Sequence, residues 1–283
     1  MVSANGYTEQ AFVAESYDFV IPYRERPDVP FYVELARQAE GSVLELGCGT
    51  GRILLPTARA GLEIVGLDSS PPMLAVCRQK LAREPDEVRA RVHLVEADMR
   101  TFALARQFGL VTLPFRSFQH LLTVADQLAC LSRIHNHLLL DGKLVLDLFN
   151  PDLRRLSNER SLNDPKLEPE FSLPDGRRVL RSSRIVAHHP AQQGLEVEMA
   201  YQVTHPDGRH ERLRSLFSLR YFFRFEVEHL LARCGFELEK VYSDYDRSPY
   251  GKSYPGELVF LARRKPSPRQ TALHTPRTDG KKG

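Results

Sequence analysis

The run Val43-Leu44-Glu45-Leu46-Gly47-Cys48-Gly49-Thr50-Gly51 constrains this chain more than any other stretch. An apolar run suited to a buried strand leads into three glycines at alternate positions. An amphipathic segment at 53–60 follows, and Gly61 stops it. Glycine in such a turn permits positive φ and lets the backbone come close to a ligand. Turns of this kind commonly cradle a pyrophosphate at a helix N-terminus. Here the dinucleotide fingerprint would need glycine at position 52, and the residue is Arg52. No Gly-Lys-Ser/Thr follows either, so the phosphate-loop reading also fails.

Short apolar runs alternate with amphipathic segments on both sides of this turn. Strands are predicted at 43–46, 63–67, 92–95, 109–113 and 143–149, with helices at 53–60, 71–82 and 121–140. That order predicts an α/β fold with a Rossmann-like parallel sheet and helices on both faces. A last strand at 257–262 returns tightly after a strand at 236–242 and is expected to be an antiparallel edge partner. Upstream, a helical stretch carries Tyr17, Phe19 and Tyr23; a Pro-rich break at 27–30 precedes a helix at 31–40. After Pro151 the texture changes. A polar connection at 151–177 leads into strand-like runs at 178–187, 195–204 and 213–221, with Leu195, Val197, Met199, Tyr201 and Val203 in strict alternation. These predict a small antiparallel β insertion after the fifth strand. Its apolar face needs cover from the main domain, a ligand or another subunit, so a homodimer through the inserted sheet is one expectation. The expected organisation is one domain from 1–150 and 224–264 with an N-terminal lid helix, an inserted β subdomain at 151–223, and a disordered basic tail at 265–283.

The 283 residues fit one large α/β domain with an inserted subdomain, at an ordinary 42% hydrophobic and 27% charged content. A formal net charge of +3 argues for neither nucleic acid nor membrane as a partner. Cys48, Cys77, Cys130 and Cys234 form no C-x-x-C pair, which suits a reduced, cytoplasmic protein. Residues 1–15 lack a basic segment leading into an apolar run, and no apolar stretch reaches the roughly 18 residues of a membrane helix. His188, His189, His205 and His210 flank turns without cysteine or carboxylate at ligand spacing, so no metal is expected.

Asp68 ends the second strand, where a carboxylate accepts hydrogen bonds from ribose hydroxyls in nucleotide-binding α/β folds. The plainer role for it is a cap on the helix at Pro71. Glu96-Ala97-Asp98-Met99 follows the third strand and offers a carboxylate and an apolar wall, as a purine requires. All three elements fall at carboxyl ends of parallel strands, the usual ligand side of open α/β sheets. At this point the residues resemble a known family. The segment from Val43 to Arg52 is similar to the first motif of class I S-adenosylmethionine-dependent methyltransferases. Val65-Gly66-Leu67-Asp68-Ser69-Ser70 with Met73 resembles their second motif, and Ala97-Asp98-Met99 their third. The resemblance implies S-adenosylmethionine as cofactor. Glu45 and the turn of Gly47, Cys48, Gly49 and Gly51 would hold its methionine part, Asp68 with Ser69 its ribose, and Met73, Ala97, Asp98 and Met99 its adenine. Leu113 and Phe118 would add to the lining. Tyr17 and Tyr23 would lie on a lid over the carboxylate or sulfonium, where a cation over an aromatic face is favourable.

Beyond the fourth strand stands Leu113-Pro114-Phe115-Arg116-Ser117-Phe118-Gln119-His120-Leu121. It departs from the Asp/Asn-Pro-Pro-Tyr/Phe motif of methyltransferases acting on nucleic-acid bases and protein glutamine. It resembles instead the Phe-x-x-x-x-His-Leu stretch of small-molecule N-methyltransferases, including amino-sugar enzymes and the glycine N-methyltransferase-like group. The resemblance puts His120 on a histidine that handles the acceptor amine. An imidazole suits a general base or an orienting group, and a simple helix cap is the alternative. Arg220-Tyr221 and Asp244-Tyr245-Asp246 lie near where the pocket should be walled and could recognise a charged acceptor; solvated polar clusters are the plainer reading. The expected function is methyl transfer to nitrogen or oxygen of a small-molecule acceptor. The alternatives are a nicotinamide-dependent Rossmann oxidoreductase and a non-catalytic adenosylmethionine-binding scaffold.

Overall fold

A computed structural model describes residues 11–158 and 162–265. The strands in chain order are β1 (Val43–Leu46), β2 (Ile64–Asp68), β3 (Val92–Glu96), β4 (Phe108–Leu113), β5 (Leu138–Phe149), β6 (Lys166–Leu167), β7 (Phe171–Ser172), β8 (Arg178–His189), β9 (Gly194–Thr204), β10 (His210–Arg220), β11 (Phe236–Tyr242) and β12 (Glu257–Arg264). The main sheet has the order β11-β12-β5-β4-β1-β2-β3. β1 to β5 run parallel, while β12 runs antiparallel to both of its neighbours. The last strand is therefore not the edge. It slots between β5 and β11, and β11 forms the rim.

The helices in chain order are α1 (Ala11–Ser16), α2 (Ile21–Arg24), α3 (Asp28–Arg37), α4 (Leu54–Arg59), α5 (Pro71–Leu81), α6 (Asp86–Arg89), α7 (Val124–His137), α8 (Leu153–Leu156) and α9 (Arg224–Arg233). Strand alternation sends Leu44, Leu46, Val111, Leu113, Leu144 and Leu146 to one face, under Leu131 and Ile134 of α7 and Leu231 of α9. Val43, Ile64, Leu110 and Val145 go to the other, under α3 and α4. Two boundaries differ from the pattern in the sequence. α3 starts at Asp28, because Pro30 sits in its first turn, where proline is tolerated. α7 starts at Val124 with Thr123 as its cap and stops at His137. Leu138 is extended and pairs with Phe108, so the apolar run at 138–140 joins β5 rather than the helix.

The second sheet has the order β10-β9-β8-β6, with β7 also paired to β8. The connection after Pro151 carries α8, β6 and β7 and is less bare than its polarity suggests. The apolar face holds Val179, Met199, Tyr201, Val203 and Phe217. It is buried against Val13, Ala14, Val20 and Tyr23 of the N-terminal segment and Met73 of α5. Arg177 bonds Glu15 at 2.5 Å and Arg181 bonds the Tyr23 hydroxyl at 2.8 Å along the same seam. The chain covers this face itself, and a second copy is not needed for that purpose. Of the expected tail only Lys265 is described, its amide bonded to the Gly235 carbonyl at 2.9 Å; the rest lies outside the described residues. No described helix is long and apolar enough to cross a membrane.

Candidate active site

β1 delivers the chain into a turn whose amides are tied to β2, with Gly47 and Cys48 both donating to the Leu67 carbonyl at 2.7 and 3.1 Å. Gly47 has φ 73°, and a Cβ there would lie 2.6 Å from the Ser117 hydroxyl oxygen. Gly49 has φ 53° and nothing within 4 Å of a Cβ position, so its outer side is open. Glu45 is only 1% exposed, and its Oε2 has no hydrogen-bond partner among the described residues. Burial pushes its carboxyl well above the usual carboxylate range. A buried carboxyl with an unpartnered oxygen beside an open glycine turn fits a ligand that brings an ammonium group and would stabilise the carboxyl's charged form, as the methionine end of S-adenosylmethionine does. Asp68 accepts the Gly49 amide at 2.7 Å and the Ser70 amide at 2.8 Å. Burial raises its carboxyl and these amides pull it back. A carboxylate has about four lone-pair sites, so capacity remains for two ribose hydroxyls.

The N-terminal segment closes over the turn. Asp18 accepts the Thr50 hydroxyl at 2.7 Å and Lys80 at 2.6 Å, and Asp28 holds Arg52 through two bonds of 2.6 Å. Tyr17 and Tyr23 pack on each other at 4.9 Å and on Phe115 at 6.0 and 4.7 Å. Phe115 and Arg116 both adopt left-handed backbone, φ 56° and 67°, at about 1–2 kcal/mol each. His120 follows on the next turn, its ring 5.8 Å from Phe217 of β10. Burial pulls its imidazole down to about 4 against a hydrogen bond to the Ser218 backbone, so it is neutral at physiological pH.

A methyltransferase domain model matches residues 43–142. A dTDP-3-amino-3,6-dideoxy-alpha-D-glucopyranose N,N-dimethyltransferase of Streptomyces fradiae is 36% identical over 141 residues, 48% of this chain and 52% of that protein. The chain thus spans about half the length of that relative. The CcbJ methyltransferase from Streptomyces caelestis superposes with a TM-score of 0.72 at 25% identity, covering 93% of this chain and 99% of that one. S-adenosylmethionine-bound CalS10 from Micromonospora echinaspora, an amino pentose methyltransferase, gives 0.60 at 25% identity, with 93% of each chain covered. Residues 43–142 thus carry a methyltransferase domain, and the chain as a whole shares the fold of these methyltransferases. In this domain Glu45, Gly47, Cys48, Gly49, Gly51, Asp68 and Ser69 come together at the carboxyl ends of β1 and β2. Met99 approaches the same turn, its methyl carbon 3.9 Å from a Cβ built on Gly47, and Ala97 is tied to Asp68 by its amide. Met73 faces the second sheet and the N-terminal segment.

Three sequence assignments change. Leu113 and Phe118 are both 0% exposed and belong to the core beneath the site, Phe118 packing on Phe222 at 5.6 Å; they offer no surface to a cofactor. Asp98 turns to Arg100, which bonds both of its oxygens at 2.9 Å, so its carboxylate is engaged at the surface. Tyr245 is not solvated. It is buried, accepts a bond from Arg26 and donates to Asp147. Around it stands a charge network that sequence reading missed. Arg26 pairs with Asp28 at 3.2 Å, Asp147 at 3.2 Å and Glu257 at 3.1 Å, and Arg116 pairs with Glu257 at 2.8 Å. One signal was available: Asp147 interrupts the aliphatic run Leu144-Val145-Leu146-Asp147-Leu148 near the end of β5. A charge in a buried strand asks for a reason. The histidines of the second sheet have ordinary partners, His188 with Tyr221, His189 with Glu196 and His205 with Glu211.

Proposed function

We propose that this chain is an S-adenosylmethionine-dependent methyltransferase that methylates the nitrogen of a small-molecule acceptor, with amino sugars the leading class. The relative from Streptomyces fradiae is named as an amino-sugar N,N-dimethyltransferase, and CalS10 as an amino pentose methyltransferase. The observation that favours nitrogen over oxygen is the setting of His120. A hydroxyl must lose a proton as it attacks and calls for a base matched to that task. An imidazole held near 4 by burial takes up protons poorly. An amine that arrives neutral needs only to be oriented, and a neutral, fixed imidazole can do that. His120 is therefore an orienting group in this reading.

The bound cofactor supplies a methyl group activated on a sulfonium. Glu45 and the glycine turn would hold its methionine end, Asp68 its ribose, and Ala97 with Met99 the purine side. Tyr17, Tyr23 and Phe115 form an aromatic cluster suited to a neighbouring cation. The unit built from the segments before 150 and from 224 to 264 would carry the cofactor. Residues 151–223 would roof the acceptor side, since Phe217 packs beside His120 and the sheet covers the N-terminal segment. A roofed site favours a metabolite over a polymer.

The test is methyl transfer from S-adenosylmethionine to a panel of free and nucleoside-diphosphate-linked amino sugars, matched with their hydroxyl analogues, and read by mass. Gain of one or two methyl groups on the amines alone is expected. Methylation of the hydroxyl analogues at equal rate would overturn the choice of nitrogen.

A further inference from the structure

Asp147 stands near the end of β5 with 0% exposure, where a carboxylate is costly unless well bonded. It accepts the Arg116 amide at 2.8 Å, Arg26 at 3.2 Å, and the Tyr245 hydroxyl. Two of these donors govern one ring. The Arg116 amide belongs to the left-handed pair that carries Phe115. The Arg26 guanidinium lies 5.2 Å from the centre of the Phe115 ring, and Arg52 lies 5.0 Å from it. Two ordinary residues in left-handed backbone persist only where their surroundings hold them. Glu257 cannot supply that hold, because it meets Arg26 and Arg116 through their side chains. The bond from the Arg116 amide to Asp147 fixes the turn itself.

We propose that Asp147 is a positioning residue for methyl transfer: by holding the Phe115–Arg116 turn it sets the shape of the acceptor side of the site. This rests on the proposed function, in which His120 orients the acceptor, and adds that Phe115, on the same loop, borders that acceptor. Asp147 acts through the turn and through Arg26, at a remove from the reacting atoms. A misplacement of about 1 Å costs on the order of 100-fold in rate, so loosening this turn strikes turnover rather than cofactor binding.

The test uses Asp147→Ala and Asp147→Asn. The asparagine keeps an oxygen for the Arg116 amide and drops the charge. Asp147→Ala is expected to lower kcat on the amino-sugar acceptor about 100-fold, with the affinity for adenosylhomocysteine by calorimetry within about threefold. Asp147→Asn is expected to recover most of that turnover. If the charge merely neutralised Arg26, both variants would lose turnover, cofactor affinity and melting temperature together, and the proposal would fall. A second reading is independent of the acceptor. The chain has no tryptophan, so Phe115→Trp places a single reporter in the turn. Acrylamide quenching of that reporter should rise with Asp147→Ala and stay low with Asp147→Asn. Unchanged quenching in Asp147→Ala overturns the proposal. Raised quenching with unchanged kcat overturns instead the placement of Phe115 beside the acceptor.

Discussion

Acidification should weaken this fold through His120 in a measurable way. Its folded value, about 4, lies below the roughly 6.5 of an unfolded imidazole. The unfolded chain therefore takes up this proton first as pH falls. The stabilisation is complete above about 6.5 and is lost progressively down toward 4. At about pH 5 the unfolded imidazole is almost fully charged and the folded one is not. The difference integrates to about 2 kcal/mol. His120 as a residue is only half-buried, and solvent screening makes that an upper figure. The assay is urea unfolding of the wild type and His120→Gln at about pH 8 and about pH 5. Glutamine does not titrate, so the change with pH in the variant, subtracted from that in the wild type, isolates the one ring from the other histidines. The wild type should lose about 1–2 kcal/mol more than the variant. Equal losses in the two proteins would show that His120 is not desolvated, and the argument for an orienting imidazole would go with it.

Asp68→Ala should weaken adenosylhomocysteine binding by about 2 kcal/mol or more in calorimetry, since each hydrogen bond to a charged group is worth roughly 1.5–3. Glu45→Gln replaces a buried carboxyl whose Oε2 has no hydrogen-bond partner among the described residues. Melting temperature should hold or rise while cofactor affinity falls by about 1.5–3 kcal/mol; a falling melting temperature would mean that the carboxylate has a structural partner. Gly109→Ala places a Cβ 1.7 Å from the backbone oxygen of Glu40, which cannot move aside as a side chain would. Denaturant unfolding should show a loss at or above about 3 kcal/mol.

Residues that act over short spans were the legible part of this chain. The glycine turn, the carboxylate at the end of β2 and the alternation of β9 are local patterns, and the structure keeps each of them. The charge network was not legible, because its members meet only in three dimensions. Arg26 and Asp147 are 121 positions apart, and Asp147 and Tyr245 are 98 apart. Tyr245 was misread because Asp244 and Asp246 flank it, and neighbours in sequence say little about which way a side chain turns. Leu113 and Phe118 were misplaced for a related reason. Strand pairing and the 3₁₀ turn at Ser117–His120 send them into the core, while Ser117 comes up against Gly47 and Phe115 joins the N-terminal segment. The boundary between α7 and β5 was lost to competition, since apolar residues at 138–140 suit either element until Phe108 claims Leu138.

The cover over the second sheet comes from a part of the chain that is made well before that sheet. Tyr23 waits 158 positions for Arg181, and Glu15 waits 162 for Arg177. A ribosome adding about 5–20 residues per second needs roughly 8–30 s to cross that gap. For that time Val13, Ala14 and Val20 have no sheet to lie against. Contacts so distant along the chain form late, after the entropy of closing the loop has been overcome. The parallel sheet can assemble without them, so the glycine turn can exist before its lid is seated. A nascent or heat-stressed molecule would then pass through a state with a formed cofactor turn and an uncovered apolar seam. That state is where holdase chaperones would engage this chain and where aggregation would begin.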